Sequence, residues 1–504
     1  MRAGTGARAL LALLGGLALL GYGALWAAAG PAGAAGPVTV YLIIGAGLFA
    51  LYLLAAYLVL RAGSALAGRR TLVAILGVAA LARAILVFAS PTLSDDMYRY
   101  IWDGRVQAAG LSPYAYPPGA PQVAALHPPS YTLWGPINRK SAITIYPPGA
   151  ELFYAGLYRL WPDSVAATKG ALVALDLLTC VLLVGVLQRL GLPAARVLVY
   201  AWAPLPIVEF GGNGHIEALE VCCTALALWA GVVATQQGGP AARRSGTALL
   251  ATGALAAAVL VKLIPVLLLA AWARRLGLKL VVLGLALCAL VAGAFAVAHG
   301  GSISPFLATY LGSESFNAPL YYFLTQEAGR LGGVSDGVIR AGLLLALGLI
   351  ALVLAARPDR GPYDFIGKSF ILVGAYLVLA TNAHPWYFTW WLVFVPLLLP
   401  PGGLPTFPPS PSLKGAGSES ARWRRGDYGP ALAALAYGGL AAAGYTVFAW
   451  RLGTVPAPLA ALQLAVLLGP GLLWPVLGRL APGRRARPLA GAADADQPPT
   501  PATR

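Results

Sequence analysis

Runs of apolar residues long enough to cross a bilayer recur along nearly the whole chain. A membrane-spanning helix needs about 20 consecutive, mainly apolar residues. Of the 504 residues, 59% are hydrophobic and only 11% are charged, whereas a soluble domain carries roughly 25% charged residues. So few charges cannot cover the surface of a water-soluble fold. The sequence therefore predicts an all-α polytopic membrane protein with about 12–14 transmembrane helices.

The predicted spans follow one another with short connections except at two places. They lie at about 8–29, 38–60, 71–90, 147–162, 170–188, 195–211, 215–235, 247–262 with a short return at 264–273, 279–298, 338–356, 364–381, 385–400, 430–449 and 457–478. Long loops at 91–146 and 299–337 interrupt the series. Composition divides the chain into a core at 1–400, a flexible cytoplasmic linker at 401–429, a C-terminal pair of spans at 430–478 and a disordered basic tail at 479–504.

Basic residues at the ends of these spans account for the net charge of +17 without a nucleic-acid partner. Lysine and arginine mark the cytoplasmic side of a membrane protein, and here they gather in the segments 61–70, 236–245, 274–279, 357–363 and 414–425 and in the tail. Both long loops should then face outward. Arg189 and Arg196 conflict with this scheme, because two full spans between 146 and 188 would place their loop outside. Either 147–162 re-enters without crossing, or this loop breaks the rule.

Several common kinds of site have no sequence support. Cys180, Cys222, Cys223 and Cys288 lie inside apolar runs without zinc-ligand or thioredoxin spacing, and we interpret them as small core residues. No Walker loop, dinucleotide-binding fingerprint, HExxH or GxSxG motif is present. The sequence therefore does not favour a nucleotide-driven, metalloprotease or serine-hydrolase reaction.

The first long loop begins with the densest polar and aromatic stretch of the chain, SDDMYRYIWDGRVQAAGLSPYAYPP at 94–118. Ser94 is a suitable N-cap and Gly110 a suitable C-cap. Residues 95–109 are therefore predicted to form one short helix at the outer membrane surface.

Two faces of this helix carry different groups. Asp96, Arg99 and Asp103, at i, i+3 and i+7, share one face. Tyr98 and Trp102, with Arg105 or Val106, share another face that suits an interfacial belt. The pattern also fits a capped interfacial helix without a catalytic role, with its acids solvated or paired to arginines.

Four further polar segments fall on the same side of the predicted membrane: YPPGAE at 146–151, EFGGNGHIEALE at 209–220, VKLIP at 261–265 and TNAHPWYFTWW at 381–391. An ionisable residue at membrane depth is a functional hypothesis by default. Lys262 could instead snorkel or pair structurally, and the aromatic residues around His384 could form only an interfacial belt.

Together these segments suit group transfer from a charged lipid. Lys262 or Arg99 could bind a lipid phosphate, and Asp96 could take the proton of an acceptor hydroxyl. The tryptophan and tyrosine faces suit sugar rings.

The ordered segments DDMYRYIWDGRVQAAGLSPYAY, YPPGAE, NGHIEAL, KLIP and HPWYFTWW resemble the GT-C superfamily of integral membrane glycosyltransferases. They look most like the bacterial polyprenyl-phosphate-mannose-dependent mannosyltransferases, including the α-(1→6)-mannosyltransferases. The resemblance is more distant to the eukaryotic mannosyltransferase that adds the first mannose to GPI anchors. It implies a GT-C-like bundle, a catalytic aspartate in the first outward loop, and inversion of a β-linked polyprenyl-phosphate sugar.

The resemblance also assigns site residues. It places the catalytic carboxylates at Asp96 and Asp95, and it assigns Lys262, in an intact Lys-x-x-Pro motif, to the donor phosphate. The family's Asn-Gly-His-Asn-Asp appears here with isoleucine and Glu217 at its last two positions. The predicted substrate-binding residues are Arg99, Asp103, Tyr146, Asn213, His215, Glu217, Lys262, His384, Trp386 and Tyr387.

Adjacent Asp95 and Asp96 stand where some relatives carry Asp-x-Asp. The resemblance therefore leaves two alternatives, no cofactor or a divalent metal, Mg²⁺ or Mn²⁺.

The expected partners are a polyprenyl-phosphate sugar donor, a glycan or glycolipid acceptor and the lipid bilayer. The expected location is the bacterial cytoplasmic membrane, as a multi-pass protein whose active site faces outward. The expected reaction transfers a hexose, with mannose favoured over glucose or arabinofuranose. A lipid-sugar transporter or flippase is the alternative, and it predicts internal repeats and broken helices at the midplane.

Overall fold

The computed structural model describes residues 2–236, 245–299, 314–330, 333–359 and 361–399, together with residues 312, 462, 463 and 465. In this part of the chain, eight helices are long and apolar enough to cross a membrane. The predicted all-α, multi-pass membrane architecture is confirmed. The predicted linker at 401–429, the span at 430–449, nearly all of the span at 457–478, and the tail lie outside the described residues.

The described helices are α1 (Arg2–Ala27), α2 (Ala35–Ala62), α3 (Arg69–Val87), α4 (Asp96–Ala108), α5 (Pro148–Leu160), α6 (Val165–Arg189), α7 (Glu217–Gln236), α8 (Gly246–Val261), α9 (Val266–Leu276), α10 (Leu278–His299), α11 (Pro319–Arg330), α12 (Asp336–Ala356) and α13 (Pro362–Leu379). The last of these is followed by short helical turns within Pro385–Leu398. Helix α11 falls inside the second long loop predicted from the sequence.

Three predicted spans are shorter or more broken than expected. Helix α5, at the predicted span 147–162, has 13 residues, whereas α8, at the predicted span 247–262, has the predicted 16. The predicted spans 195–211 and 385–400 are each divided into several short helical pieces. The count of long described helices is therefore lower than the sequence predicted.

Helix α5 bears on the topological conflict at Arg189. At 1.5 Å per residue, its 13 residues extend about 20 Å, shorter than a bilayer core of about 30 Å. Asp163, in the turn after α5, accepts a hydrogen bond of 2.7 Å from Arg105 of α4, so the end of α5 stays beside α4. Arg189, at the other end of α6, hydrogen-bonds Gln236 at the end of α7. This length and these contacts are consistent with the re-entrant alternative for 147–162.

The segment 194–212 crosses the bundle as a broken helix. Its pieces are the 3₁₀ turn Ala194–Val197, the helical turns Leu198–Ala201 and Pro204–Pro206, and the π-helical turn Ile207–Gly212. Proline has no N–H to donate, so a helix loses hydrogen bonds there. Buried side chains of neighbouring helices donate hydrogen bonds to some of its backbone carbonyls: Tyr52 donates to Val199 and Arg83 to Ala201. Irregular backbone at membrane depth is tolerated when it is satisfied in this way.

Buried ionic groups also tie this segment to its neighbours. Arg83 of α3 and Asp176 of α6 form an ion pair of 2.5 Å, and both side chains are fully buried. The hydroxyl of Tyr200 donates to the same carboxylate at 2.7 Å. The three groups join α3, α6 and the broken segment.

Helix α4 is largely buried within the protein. Trp102 is 0% exposed and packs with Val106, Val123 and Ile137 in a small core beneath the first loop. The predicted place of Trp102 in an interfacial belt is therefore wrong, because the loop folds back over this face. On the opposite side a Cβ at Gly104 would lie 2.7 Å from the carbonyl oxygen of Tyr154. Glycine thus allows α4 and α5 to pack closely.

Candidate active site

A cavity of about 440 Å³ opens where α4, the segment 138–146, Lys262 and the segment 384–387 meet. Binding sites for small molecules typically enclose about 300–1,000 Å³. Eight of the predicted site residues line it: Asp95, Asp96, Arg99, Tyr146, Lys262, His384, Trp386 and Tyr387. The structure thus brings together residues that are nearly 300 positions apart in sequence.

Two carboxylates form one wall of the cavity at the start of α4. The helix begins at Asp96 with Asp95 as its N-cap residue, and Ser94, predicted as the cap, accepts a hydrogen bond from the Asp96 amide. The side-chain amide of Asn138 donates to Oδ1 of Asp95 at 2.6 Å and to Oδ1 of Asp96 at 3.0 Å. One amide therefore holds both carboxyl groups side by side.

These carboxyl groups have altered acidity. Burial, followed by the charge of Asp96, raises the pKa of Asp95 to about 6. Burial also raises the pKa of Asp96, although the hydrogen bond from Asn138 and the charges of Lys262 and Arg139 act to lower it. The Asp96 side chain keeps 23% of its surface exposed. A partly exposed carboxyl with a raised pKa is suited to general base catalysis.

Helix α4 is held in place by contacts with the segment 212–217. The side chain of Asn213 accepts a hydrogen bond of 3.0 Å from the backbone amide of Leu93. Gly214 has φ of +73°, and a Cβ there would lie 1.7 Å from Cε of Met97. The positive φ favours glycine, and a Cβ there would require the Met97 side chain to move. Asn213 therefore positions α4 and does not line the cavity.

Lys262 lies at the end of α8, on the opposite wall of the cavity. Its Nζ atom is 2.8 Å from Oε1 of Glu217, whose side chain is fully buried. The same ammonium lies 5.1 Å from the ring centre of Tyr146 and 5.5 Å from that of Tyr387. The structural pairing anticipated for Lys262 is therefore present, and the side chain also reaches the cavity.

His215 lies one layer behind the cavity wall. Its ring stacks on Trp386 with centroids 3.8 Å apart, and Trp386 stacks in turn on His384 at 4.4 Å. Burial and the charge of Lys262 lower the pKa of His215 well below its usual value. Burial and the same charge lower the pKa of His384 to about 3. Both rings are therefore neutral at neutral pH.

Asp103, predicted as a substrate-binding residue, does not line the cavity. It is 0% exposed and binds Nε of Arg99 at 2.8 Å. Arg99 itself lines the cavity and also donates to the backbone carbonyl of Ala142. The fully buried Glu151 accepts from Thr144 and from Gln107 beside this pair. Asp103 thus fixes Arg99, because four residues along a helix place the two side chains in contact.

Two polar residues of the cavity wall were not among the predicted site residues. Asn138 and Arg139 lie in a loop without periodicity, and only folding brings them to the carboxylates. Arg139 also forms an ion pair of 2.6 Å with Glu314, which precedes α11. Nearby, Phe316 stacks on His384 with centroids 4.8 Å apart.

A divalent metal needs several ligand atoms that converge on one point. Within the residues that the structure describes, no three His, Cys, Asp or Glu side chains converge as ligands. The amide hydrogens of Asn138 point at both Asp95 and Asp96, where a bridging cation would need to be. The carboxylate pair as arranged therefore does not fit an ion bridging the two residues.

Comparisons with known proteins show which family the chain belongs to. The solved structure of ArnT from Cupriavidus metallidurans bound to undecaprenyl phosphate is similar at 16% sequence identity and a TM-score of 0.42, covering 81% of this chain and 77% of that chain. No protein with a curated description matches the chain in sequence. Residues 12–276, just over half of the chain, match the family described as Alpha-(1->6)-mannopyranosyltransferase, N-terminal domain. The predicted resemblance to these mannosyltransferases is thereby confirmed, and the chain belongs to the α-(1→6)-mannopyranosyltransferase family of membrane glycosyltransferases.

Proposed function

We propose that the protein transfers mannose from a polyprenyl-phosphate donor to a hydroxyl group of a glycan or glycolipid acceptor. One observation carries the proposal: a single cavity presents the Asp96 carboxylate together with the Lys262 ammonium and the Arg139 guanidinium. A phosphate ester needs positively charged groups, and an acceptor hydroxyl needs a carboxylate that can take its proton. Membership of the mannosyltransferase family supports mannose as the sugar.

The cations are suited to the donor phosphate. Charge-assisted hydrogen bonds from lysine or arginine to phosphate are roughly twice as strong as neutral ones. Lys262 pairs with Glu217, keeps 16% of its side-chain surface exposed and lines the cavity. Arg139 is more exposed and would bind nearer the opening.

The sugar ring would lie against aromatic side chains. Tyr146, Trp386 and Tyr387 line the cavity, and each ring is at least nine-tenths buried. Rigid aromatic faces of this kind bury apolar sugar faces and fix their orientation.

Asp96 serves as the general base. The acceptor oxygen forms a bond to C1 of mannose while the bond from C1 to the phosphate oxygen breaks. The electron pair leaves with polyprenyl phosphate, and the acceptor proton passes to Asp96. Attack from the face opposite the phosphate converts a β-linked donor into an α-linked product.

The distribution of basic residues supports an outward-facing site in the bacterial cytoplasmic membrane. Arg61 at the end of α2, Arg69 and Arg70 at the start of α3, and Arg189 at the end of α6 lie at the helix ends away from the cavity. Basic residues mark the cytoplasmic side.

The test is a transfer assay with purified protein in lipid nanodiscs. Radiolabelled polyprenyl-phosphate mannose, glucose and arabinose would be supplied in parallel with an α-(1→6)-linked oligomannoside acceptor. We expect mannose transfer alone, with loss of turnover in Asp96→Asn by a factor of about 10²–10⁴. Transfer of glucose or arabinose instead would assign another sugar, and flipping of labelled lipid without transfer would identify a transporter.

Asp364→Asn is the matched control. Asp364 is in the first turn of α13, whose other end leads to His384, so it lies roughly 22 Å from the cavity along the helix axis. Normal turnover is expected for this variant. Equal losses in both variants would show that the Asp96 effect is not catalytic.

A further inference from the structure

Glu209 lies behind the active site and was not among the predicted site residues. It is 0% exposed and belongs to the π-helical turn Ile207–Gly212. Such turns are rare and are frequently found at functional sites. Asn213 donates to Oε2 of Glu209 at 3.0 Å, which fixes that oxygen beneath His215.

His215 lies between Glu209 and the proposed base. Its Nε2 atom is 3.4 Å from Oε2 of Glu209, and its Nδ1 atom is 3.9 Å from Oδ2 of Asp96. Nδ1 is equally far from Oε2 of Glu217. Among the described residues, neither ring nitrogen has a hydrogen-bond partner of ordinary length. The ring is thus aimed at carboxylates on both sides, with Trp386 fixing its plane.

The distances favour one tautomer of the neutral ring. A neutral imidazole carries one N–H and one lone pair, and the hydrogen is best placed toward the nearer carboxylate, that of Glu209. The carboxylates of Asp96 and Glu217 both lie 3.9 Å from Nδ1, beyond the length of an ordinary hydrogen bond. The Nδ1 lone pair would then face Asp96.

We infer that Glu209 is a positioning residue that holds His215 with its hydrogen on Nε2, so that the Nδ1 lone pair can accept a hydrogen bond from Asp96 once Asp96 has taken the acceptor proton. The inference rests on the proposed function. It resembles the base and orienting carboxylate of a catalytic triad, with Asp96 placed between histidine and acceptor.

The acceptor O–H gives its proton to Asp96, and the protonated carboxyl donates a hydrogen bond to Nδ1 of His215. The histidine stays neutral, because burial and the charge of Lys262 hold its pKa well below the usual value. After polyprenyl phosphate leaves, Asp96 releases the proton to water in the cavity.

The kinetic test compares Glu209→Gln with Glu209→Asp. The charged groups facing His215 and Asp96 are Asp95, Arg139, Glu209, Glu217 and Lys262, with neutral His384 nearby. Removing the negative charge of Glu209 lowers the basicity of Asp96 and His215. We therefore expect Glu209→Gln to reduce kcat about 10- to 100-fold, with an unchanged donor KM and an acid limb of the pH–rate profile displaced to lower pH.

Glu209→Asp retains the charge and should restore the position of the acid limb, with part of the rate. A purely structural role would change stability without moving this limb. Normal kcat and an unmoved acid limb in a folded Glu209→Gln protein would overturn the inference.

A spectroscopic test depends neither on the Glu209 variants nor on transfer activity. The chain has four histidines, so ¹⁵N-histidine labelling of the wild-type protein gives few signals, and the His215 signals are those lost in His215→Gln. We expect ¹⁵N shifts of a neutral ring protonated at Nε2. Protonation at Nδ1 would overturn the inference. Because this result does not depend on turnover, it separates failure of the inference from failure of the proposed reaction.

Discussion

The Nζ atom of Lys262 lies 2.8 Å from a carboxylate oxygen of the fully buried Glu217 while the same side chain lines the active-site cavity. One cation thus neutralises a buried acid and remains accessible to a ligand. Removing the lysine has two consequences. The site loses a cation for the donor phosphate, and the buried Glu217 carboxylate is left as an uncompensated charge.

Lys262→Met should lower both stability and donor use. Loss of a partner from a buried pair costs about 3 kcal/mol or more, which would appear as a lower melting temperature in detergent. Donor KM should rise or turnover should be lost, because the phosphate loses its cation. Exposed Lys279, at the start of α10, provides the control variant Lys279→Met, which should change neither property.

The double variant Lys262→Met/Glu217→Gln separates the two effects. Neutralising Glu217 removes the stranded charge, so the melting temperature should recover toward that of the wild type. Donor use should stay impaired. Recovery of normal donor kinetics together with stability would instead assign Lys262 to structure.

Asn138→Ala should move the acid limb of the pH–rate profile to higher pH. The Asn138 amide lowers the pKa of Asp95 and of Asp96, the former being about 6 in the intact site. Without it both pKa values rise, so the base is protonated over a wider range as pH falls. Activity should drop more at pH 6 than at pH 8 and should recover at high pH.

The control is Gln122→Ala, at an exposed amide in the same loop. Its pH profile should match that of the wild type. An unmoved acid limb in Asn138→Ala would show that the two hydrogen bonds do not set the acidity of the base.

The chemistry of the site was more predictable from sequence than its packing. Asp96, Lys262 and His384 stand out because polar residues at membrane depth are rare, and their common side follows from the basic loops. Trp102 was misplaced because the amphipathic pattern of one helix does not show that a distant loop covers it. Arg83 and Asp176 are both visible in apolar runs, but only the packing of α3 against α6 brings them together.

The conformation of the broken segment 194–212 was only partly predictable. Its apolar composition predicts a span, and Pro204 and Pro206 already predict a break within it. The consequence, a π-helical turn that brings Glu209 beneath His215, depends on donors from other helices. Asn138 has no sequence signal at all, since its role arises from a loop conformation.

Gly214→Ala should destabilise the protein and impair transfer. The residue has φ of +73°, where a side chain costs about 1–2 kcal/mol, and its Cβ would collide with Met97. The double variant Gly214→Ala/Met97→Ala should lose less stability than the two single variants lose in sum, because shortening Met97 removes the collision. Thermal unfolding in detergent measures this coupling.

Gly77→Ala is the matched control, because a Cβ at this helical position meets no atom within 4 Å. It should leave stability equal to that of the wild type or slightly higher. Additive effects of Gly214→Ala and Met97→Ala would show that the two residues do not constrain each other, and α4 would then need another explanation for its position.

Transfer should continue after removal of divalent metal. Mg²⁺ is usually held by one or two carboxylates and substrate phosphates, so Asp95 and Asp96 are the groups to consider. The Asn138 amide donates to both of them, however, and places hydrogen atoms where a bridging cation would lie. Lys262 and Arg139 supply positive charge to the donor phosphate from the protein itself. We therefore expect unchanged turnover in EDTA, whereas a loss that Mg²⁺ or Mn²⁺ restores would mean that Asn138 swings away to admit a metal when the donor binds.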